Sequence, residues 1–127
     1  MYWTLTYPGL LSMVPAIRAF VRSMLADTPR LDDAGLVVSE FAANAMIHTP
    51  SGGPGGTVVV AVTVRDGWAR VAVSDAGPGD WTRPVPTASQ MEEYGRGLLL
   101  VEAFADKVGH EVVAGGQTMW AEFGWTS

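Results

Sequence analysis

The sequence predicts a two-layer α/β sandwich, a mixed and mostly antiparallel sheet of about five strands with three helices on one face. Three observations predict it. Val58, Val60, Val62 and Val64 recur at every second position, and Asp66-Gly67 then turns the chain into a second alternating run that ends at Asp75. Apolar residues recur at helical spacing in three separate stretches, beginning near Ser12, Ala34 and Leu98. The order of these patterns is strand, helix, helix, hairpin, an irregular segment, helix and a final hairpin, with no repeat and no second domain.

Each element has its own signal. Trp3, Leu5 and Tyr7 alternate with Thr4 and Thr6 as a short N-terminal strand. A first helix is expected from about Ser12 to Leu25, with Val14, Ile17, Val21 and Met24 on one stripe and Arg18 and Arg22 outside. The second helix, from Ala34 to His48, is almost entirely apolar. Thr28-Pro29 supplies its N-cap and first-turn proline, Asp32 and Asp33 suit its positive end, and Thr49-Pro50 stops it. Ser51 to Gly56 reads as a flexible connector, because its glycines lack the Lys and Ser/Thr of a Walker phosphate loop. Pro78 to Tyr94 holds three prolines and no apolar period, the pattern of a lid disordered without its ligand. Leu98, Val101, Phe104, Ala105 and Val108 fall on one side of a third helix ended by Gly109, and Met119, Ala121, Phe123 and Trp125 alternate in the last strand. Trp68, Trp120 and Trp3 are expected on the other side of the sheet or near its edge, where one exposed patch would mark a partner surface.

Composition narrows the function classes. At 127 residues the chain is expected to be one domain, residues 1–127, too short for a second catalytic module. The net charge is −5 and Lys107 is the single lysine, so the basic surface that nonspecific nucleic-acid binding needs is missing. The absence of cysteine excludes disulfides, thiol catalysis and a cysteine zinc site, and it is compatible with a reducing cytosol. No apolar run reaches transmembrane length and the N-terminus lacks a signal-peptide pattern, so a cytoplasmic protein without membrane contact is expected.

Three motifs carry chemistry. In Asp75-Ala76-Gly77-Pro78-Gly79, alternation puts Asp75 on the apolar face with Ala69, Val71 and Val73, where a carboxylate needs a hydrogen-bond donor; an adenine amino group is suitable. Gly77 and Gly79 leave room for a ring or phosphate chain to pass close to backbone. On the second helix Glu40, Asn44 and His48 fall in one column, four residues apart. Magnesium takes oxygen ligands, so the Asn carbonyl with triphosphate oxygens makes a site, and Glu40 lies one turn away to prepare a nucleophile. In Gly95-Arg96-Gly97-Leu98 the glycines bring backbone N–H groups and a helix N-terminus to an anion, and Arg96 adds a cation. Read singly, each has an ordinary alternative: a strand end and turn, a solvated stripe on a core helix, and a loop-to-helix junction. The joint occurrence in this order is the informative observation.

With these motifs the chain resembles the GHKL (Bergerat-fold) ATPase superfamily, and within it the anti-sigma-factor serine/threonine kinases and their actinobacterial relatives. Ser39 to His48 resembles the N-box of that family, Asp75 to Gly79 its first glycine box and Gly95 to Leu98 its second. The resemblance implies ATP and Mg2+ as cofactors, Glu40 as catalytic base, Asn44 as magnesium ligand, Asp75 as reader of the adenine amino group, and Gly77, Gly79, Gly95, Arg96, Gly97 and Leu98 around the phosphates. It also implies a sigma factor and an anti-anti-sigma antagonist protein as partners, and a homodimer. Thr118 would match a late threonine that helps hold the base; strand parity puts it opposite Met119, Ala121 and Phe123, so the match requires a bulge, and without one Thr118 is an ordinary strand residue. Tyr94 stands where many relatives have another glycine. Two readings follow: a kinase that phosphorylates the antagonist and sequesters the sigma factor, or a non-catalytic module that binds ATP to set the shape of a partner surface. Glu40 favours the first, since a pure binder has no use for a base there.

Overall fold

The computed structural model describes residues 1–48, 50–53, 55–76, 99–113 and 116–126; for His48, Pro50, Asp75, Ala76, Val112 and Val113 it describes the backbone. β1 (Tyr2–Pro8) leads through a 3-10 turn at Leu11–Met13 into α1 (Val14–Met24) and α2 (Leu31–His48). A second 3-10 turn, Pro50–Gly52, precedes the hairpin of β2 (Thr57–Arg65) and β3 (Trp68–Ala76). The described turns of α3 occupy 99–104, followed by β4 (Lys107–Val113) and β5 (Gly116–Gly124). The strands lie in the order β1-β2-β3-β5-β4, and every described pair is antiparallel. This is the expected α/β architecture.

Strand alternation builds the core. Val58, Val60 and Val62 of β2, Ala69, Val71 and Val73 of β3, and Met119, Ala121 and Phe123 of β5 are buried on the face toward the helices. They meet Val37, Val38, Phe41 and Ala45 of α2, while Ile17 and Val21 of α1, which packs beside α2 and reaches β2, complete the same core. A helix that packs on the sheet with one face and on a neighbouring helix with another is buried over most of its circumference, which explains why α2 is so largely apolar. Gly35 permits the close approach of α1: an added Cβ would meet Arg22 Cγ at 2.9 Å. Arg18 Nε reaches over it to donate to Ser39 Oγ at 2.7 Å.

Two boundaries differ from expectation. Thr28 is not the cap of α2. Its hydroxyl donates to Leu25 O (3.0 Å) and accepts from Arg30 N (3.2 Å), closing the preceding turn, and the helix opens with Ala34 N donating to Arg30 O at 2.9 Å. The third helix is shorter than its apolar period suggested, and Val108 and Gly109 belong to β4. Tertiary contacts end it. Asp106 Oδ2 accepts from Gly124 N at 2.6 Å, and Arg30 donates to Phe104 O and Gly124 O, both at 2.7 Å. Gly109 lies under the Trp120 ring, where a Cβ would come within 2.0 Å of a ring carbon.

The connector after α2 is packed rather than loose. A Cβ on Gly9 would meet Ser51 O at 1.5 Å and one on Gly52 would meet Met46 O at 1.8 Å, while Gly9 N donates to Gly56 O at 2.9 Å. These contacts orient α2. Its C-terminal end lies where Pro8, Thr57 and Ala76 pair, and its N-terminal end lies with Arg30 at Gly124, the opposite end of the sheet. On the face away from the helices, Arg65 stacks over Trp68 and Arg70 over Trp120, as expected for those tryptophans. Trp3 lies at the sheet edge, on β1, where it pairs with Val62 at a helix-side register position.

Candidate functional site

One end of the sheet collects the polar residues that the core does not use. Glu40 and Asn44 lie in the C-terminal half of α2, one turn apart. Asn44 is only 9% exposed and Glu40 is half-buried, yet neither makes a hydrogen bond or ion pair with another described residue. A nearly buried carboxamide on an otherwise apolar helix is an unusual choice for packing alone. Asp75 occupies the β3 position opposite Val58, at the end of the strand to which the α2 C-terminus packs.

The donor set suits a magnesium–nucleotide complex. Magnesium is commonly held by one or two protein oxygens plus substrate phosphates, and Asn44 offers one such oxygen. Among the described residues no group of three or more His, Cys, Asp or Glu is placed to hold a metal by itself.

β5 enters the same end. Its register against β3 runs unbroken from Trp68↔Gly124 to Ser74↔Thr118, with no bulge. Thr118 therefore stands on the face away from the helices, where its Oγ1 lies 2.8 Å from Ser74 Oγ. The bulge that a base-holding role requires is absent from this register, which favours the other reading of Thr118, an ordinary strand threonine in a cross-strand pair. Gln117, one residue earlier, faces the helices at 8% exposure, and its Oε1 lies 2.5 Å from His110 Nε2 on β4.

A sequence profile of the histidine kinase-like ATPase domain matches residues 7–123. The chain belongs to this family. It is 33% identical over 98 residues to an anti-sigma F factor of Geobacillus stearothermophilus, covering 72% of this chain and 67% of that protein. It is 32% identical over 98 residues, with the same coverage, to an anti-sigma F factor of Geobacillus thermodenitrificans. The fold is similar to the solved structure of RsbU and RsbW domains from Mycobacterium tuberculosis, with a TM-score of 0.68 and 24% identity over 97% of this chain and 31% of that one. The chain thus spans about a third of that longer protein. Within the histidine kinase-like ATPases it falls with the GHKL anti-sigma kinases, a family whose members bind ATP.

Against that family pattern, α2 carries the N-box residues Glu40 and Asn44 on one helix face, and β3 brings the Asp75 backbone to the same end of the sheet. Gly77, Gly79, Gly95, Arg96, Gly97 and Leu98, the two glycine boxes, and the expected lid from Pro78 to Tyr94 lie outside the described residues. Sequence reasoning did not anticipate the hydrogen bond between Gln117 and His110 at this end of the sheet. The signal was present, since the parity that excludes Thr118 puts Gln117 with Met119, Ala121 and Phe123. No helix among the described residues is long and apolar enough to cross a membrane.

Proposed function

We propose that this chain is an ATP-dependent serine/threonine protein kinase that phosphorylates a small antagonist protein and sequesters a sigma factor. The observation that carries the reading is the pair Glu40 and Asn44, one turn apart on a largely core helix, whose side chains have no partner among the described residues. A module that only bound nucleotide would need the asparagine and not the carboxylate. The names of the anti-sigma F factors similar to it support sigma-factor binding.

The chemistry follows from the placement of these groups. Asp75 accepts a hydrogen bond from the adenine amino group and so sets the position of the triphosphate relative to α2. Asn44 is the protein oxygen for magnesium, which when bound spreads the negative charge of the phosphates. Glu40 takes the proton of the acceptor hydroxyl as its oxygen bonds to the γ-phosphorus; the bond from that phosphorus to the bridging oxygen breaks, and ADP leaves. Arg96 offsets charge on the transferred phosphoryl group. Protein partners rather than DNA suit a chain of net charge −5 with one lysine.

A homodimer is part of the same proposal. β1 is an edge strand that carries no charged side chain, and on it Trp3 and Leu5 remain 50% and 43% exposed. An uncharged, unbroken edge of this kind favours pairing with another strand. The test of the function is incubation with γ-labelled ATP, magnesium and candidate antagonist proteins encoded nearby. Label on one serine or threonine of an antagonist is expected; no transfer to the true antagonist contradicts the kinase reading.

A further inference from the structure

The two edges of the sheet differ in charge. β4 carries exposed Lys107 and Glu111, whereas β1 carries no charged side chain from Tyr2 to Pro8. Charge on an edge strand opposes the addition of another strand, so β4 is protected and β1 is not. The main chain of β1 is phased for such an addition. Met1 N donates to Val64 O at 3.0 Å and Val64 N to Met1 O at 2.9 Å, and beyond the other end Gly9 N donates to Gly56 O. Hydrogen-bonded pairs alternate in an antiparallel ladder, so along this unbroken register Met1, Trp3, Leu5 and Tyr7 turn their main-chain groups toward β2. Tyr2, Thr4 and Thr6 turn their N–H and C=O groups, and Pro8 its C=O, to the open edge, where no strand pairs among the described residues.

We infer that β1 is the interface between two copies of this chain, paired antiparallel about a twofold axis at Leu5 so that one sheet continues through both. The inference rests on the homodimer reading above and names its surface and register. The strand itself argues for a second copy, because from Trp3 to Tyr7 it reads alike in both directions: aromatic, threonine, leucine, threonine, aromatic. An axis at Leu5 sets Thr4 against Thr6 of the second copy, Trp3 against Tyr7 and Leu5 against Leu5. Thr4 and Thr6 then exchange main-chain hydrogen bonds through the groups that face outward, and Tyr2 N–H donates to Pro8 O. The N–H that Pro8 lacks falls at the end of the ladder, within reach of water. Trp3 with Tyr7 and Leu5 with Leu5 are the non-hydrogen-bonded pairs, whose side chains approach closest, and they cover the exposed Trp3 and Leu5. Two copies joined in this way leave only the charged β4 edges open, so the assembly closes at the dimer.

Single cysteines report the register, since the chain has none of its own. In Leu5→Cys the two introduced residues face each other with Cα atoms about 4.5 Å apart, within disulfide reach. In Thr4→Cys they are offset by two residues along the strands and lie beyond about 7 Å. Mild oxidation should therefore yield a covalent dimer of Leu5→Cys and not of Thr4→Cys. Sedimentation equilibrium should show a reversible wild-type dimer. Thr4→Pro removes an outward N–H and leaves the β2 ladder intact, so it should raise the dimer Kd by about ten- to a hundredfold, the twofold axis doubling the loss. Leu5 is 43% exposed, so Leu5→Cys carries the test alone if Thr4→Pro does not fold. A covalent dimer from Thr4→Cys but not from Leu5→Cys overturns the register. A wild-type dimer that neither Leu5→Cys links nor Thr4→Pro weakens overturns the interface and leaves the homodimer reading standing. A wild type that is monomeric at every concentration overturns both, and gives the open edge to a strand of a different protein.

Discussion

Replacing Arg30 by methionine should destabilise the fold by about 3 kcal/mol, because this side chain ties three elements together. Its guanidinium donates to Phe104 O at the end of α3 and to Gly124 O at the end of β5, both at 2.7 Å. It also donates to Asp33 at 3.0 Å and to Asp106 at 3.2 Å, and stacks over the Phe123 ring at 5.2 Å. The two carbonyls dominate. Each loses a charged donor, at about 1–3 kcal/mol apiece, with water recovering part of that at the exposed Phe104. The ion pairs add little, since the Asp106 side chain is 54% exposed and solvent screens it. Stacking on Phe123 contributes about 0.5–1 kcal/mol. Methionine keeps much of the apolar stem, so the change isolates the polar clasp. For a chain of this size about 3 kcal/mol corresponds to a fall in Tm of roughly 10 °C, readable by circular dichroism. Arg30→Lys should fall between, because one ammonium does not reach both carbonyls in the geometry of the planar fork. A methionine variant melting within about 2 °C of wild type would refute the reasoning.

Other outcomes follow from single contacts. Gly109→Ala should cost about 1–3 kcal/mol, because the new methyl group must displace the Trp120 ring; an unchanged urea midpoint and unchanged tryptophan fluorescence would contradict that contact. Asn44→Ala should leave the melting curve of the free protein near wild type, since no side-chain bond to a described residue is lost, and should remove at least about tenfold of the ATP affinity that depends on magnesium. Equal magnesium dependence in the variant and the wild type would take Asn44 out of the site.

The parts of the fold legible in the sequence are those in which one local pattern decides. β2 and β3 fall where the valines alternate, and Asp66-Gly67 turns between them with Gly67 at a φ of 74°, a conformation glycine adopts freely. The boundaries that shifted are set by contacts distant in the chain. Val108 satisfies both a helical spacing from Phe104 and strand alternation, and the choice is made by Arg30, Gly124 and Trp120, none of them nearby in sequence. Thr28 has the chemistry of a cap, but its hydroxyl is taken by the turn before α2.

The candidate site divides in the same way. Helical spacing was enough to bring Glu40 and Asn44 together, because both lie on one continuous helix. The burial of Asn44, and the lack of side-chain partners for both among the described residues, depend on tertiary packing around α2, which no local pattern reports. Thr118 drew attention through its likeness to a family position, while parity puts Gln117 rather than Thr118 on the helix side of β5. His110 had no signal at all, since its partner comes from the neighbouring strand.

The central claim is that Glu40 is the base of a phosphoryl-transfer site, and Glu40→Gln tests it most directly because it keeps the shape and removes the proton acceptor. With γ-labelled ATP and the cognate antagonist protein, transfer by the variant should fall by about 10² to 10⁴ while ATP affinity and sigma-factor binding stay near wild type. Transfer at the wild-type rate in the Glu40→Gln variant would contradict the account.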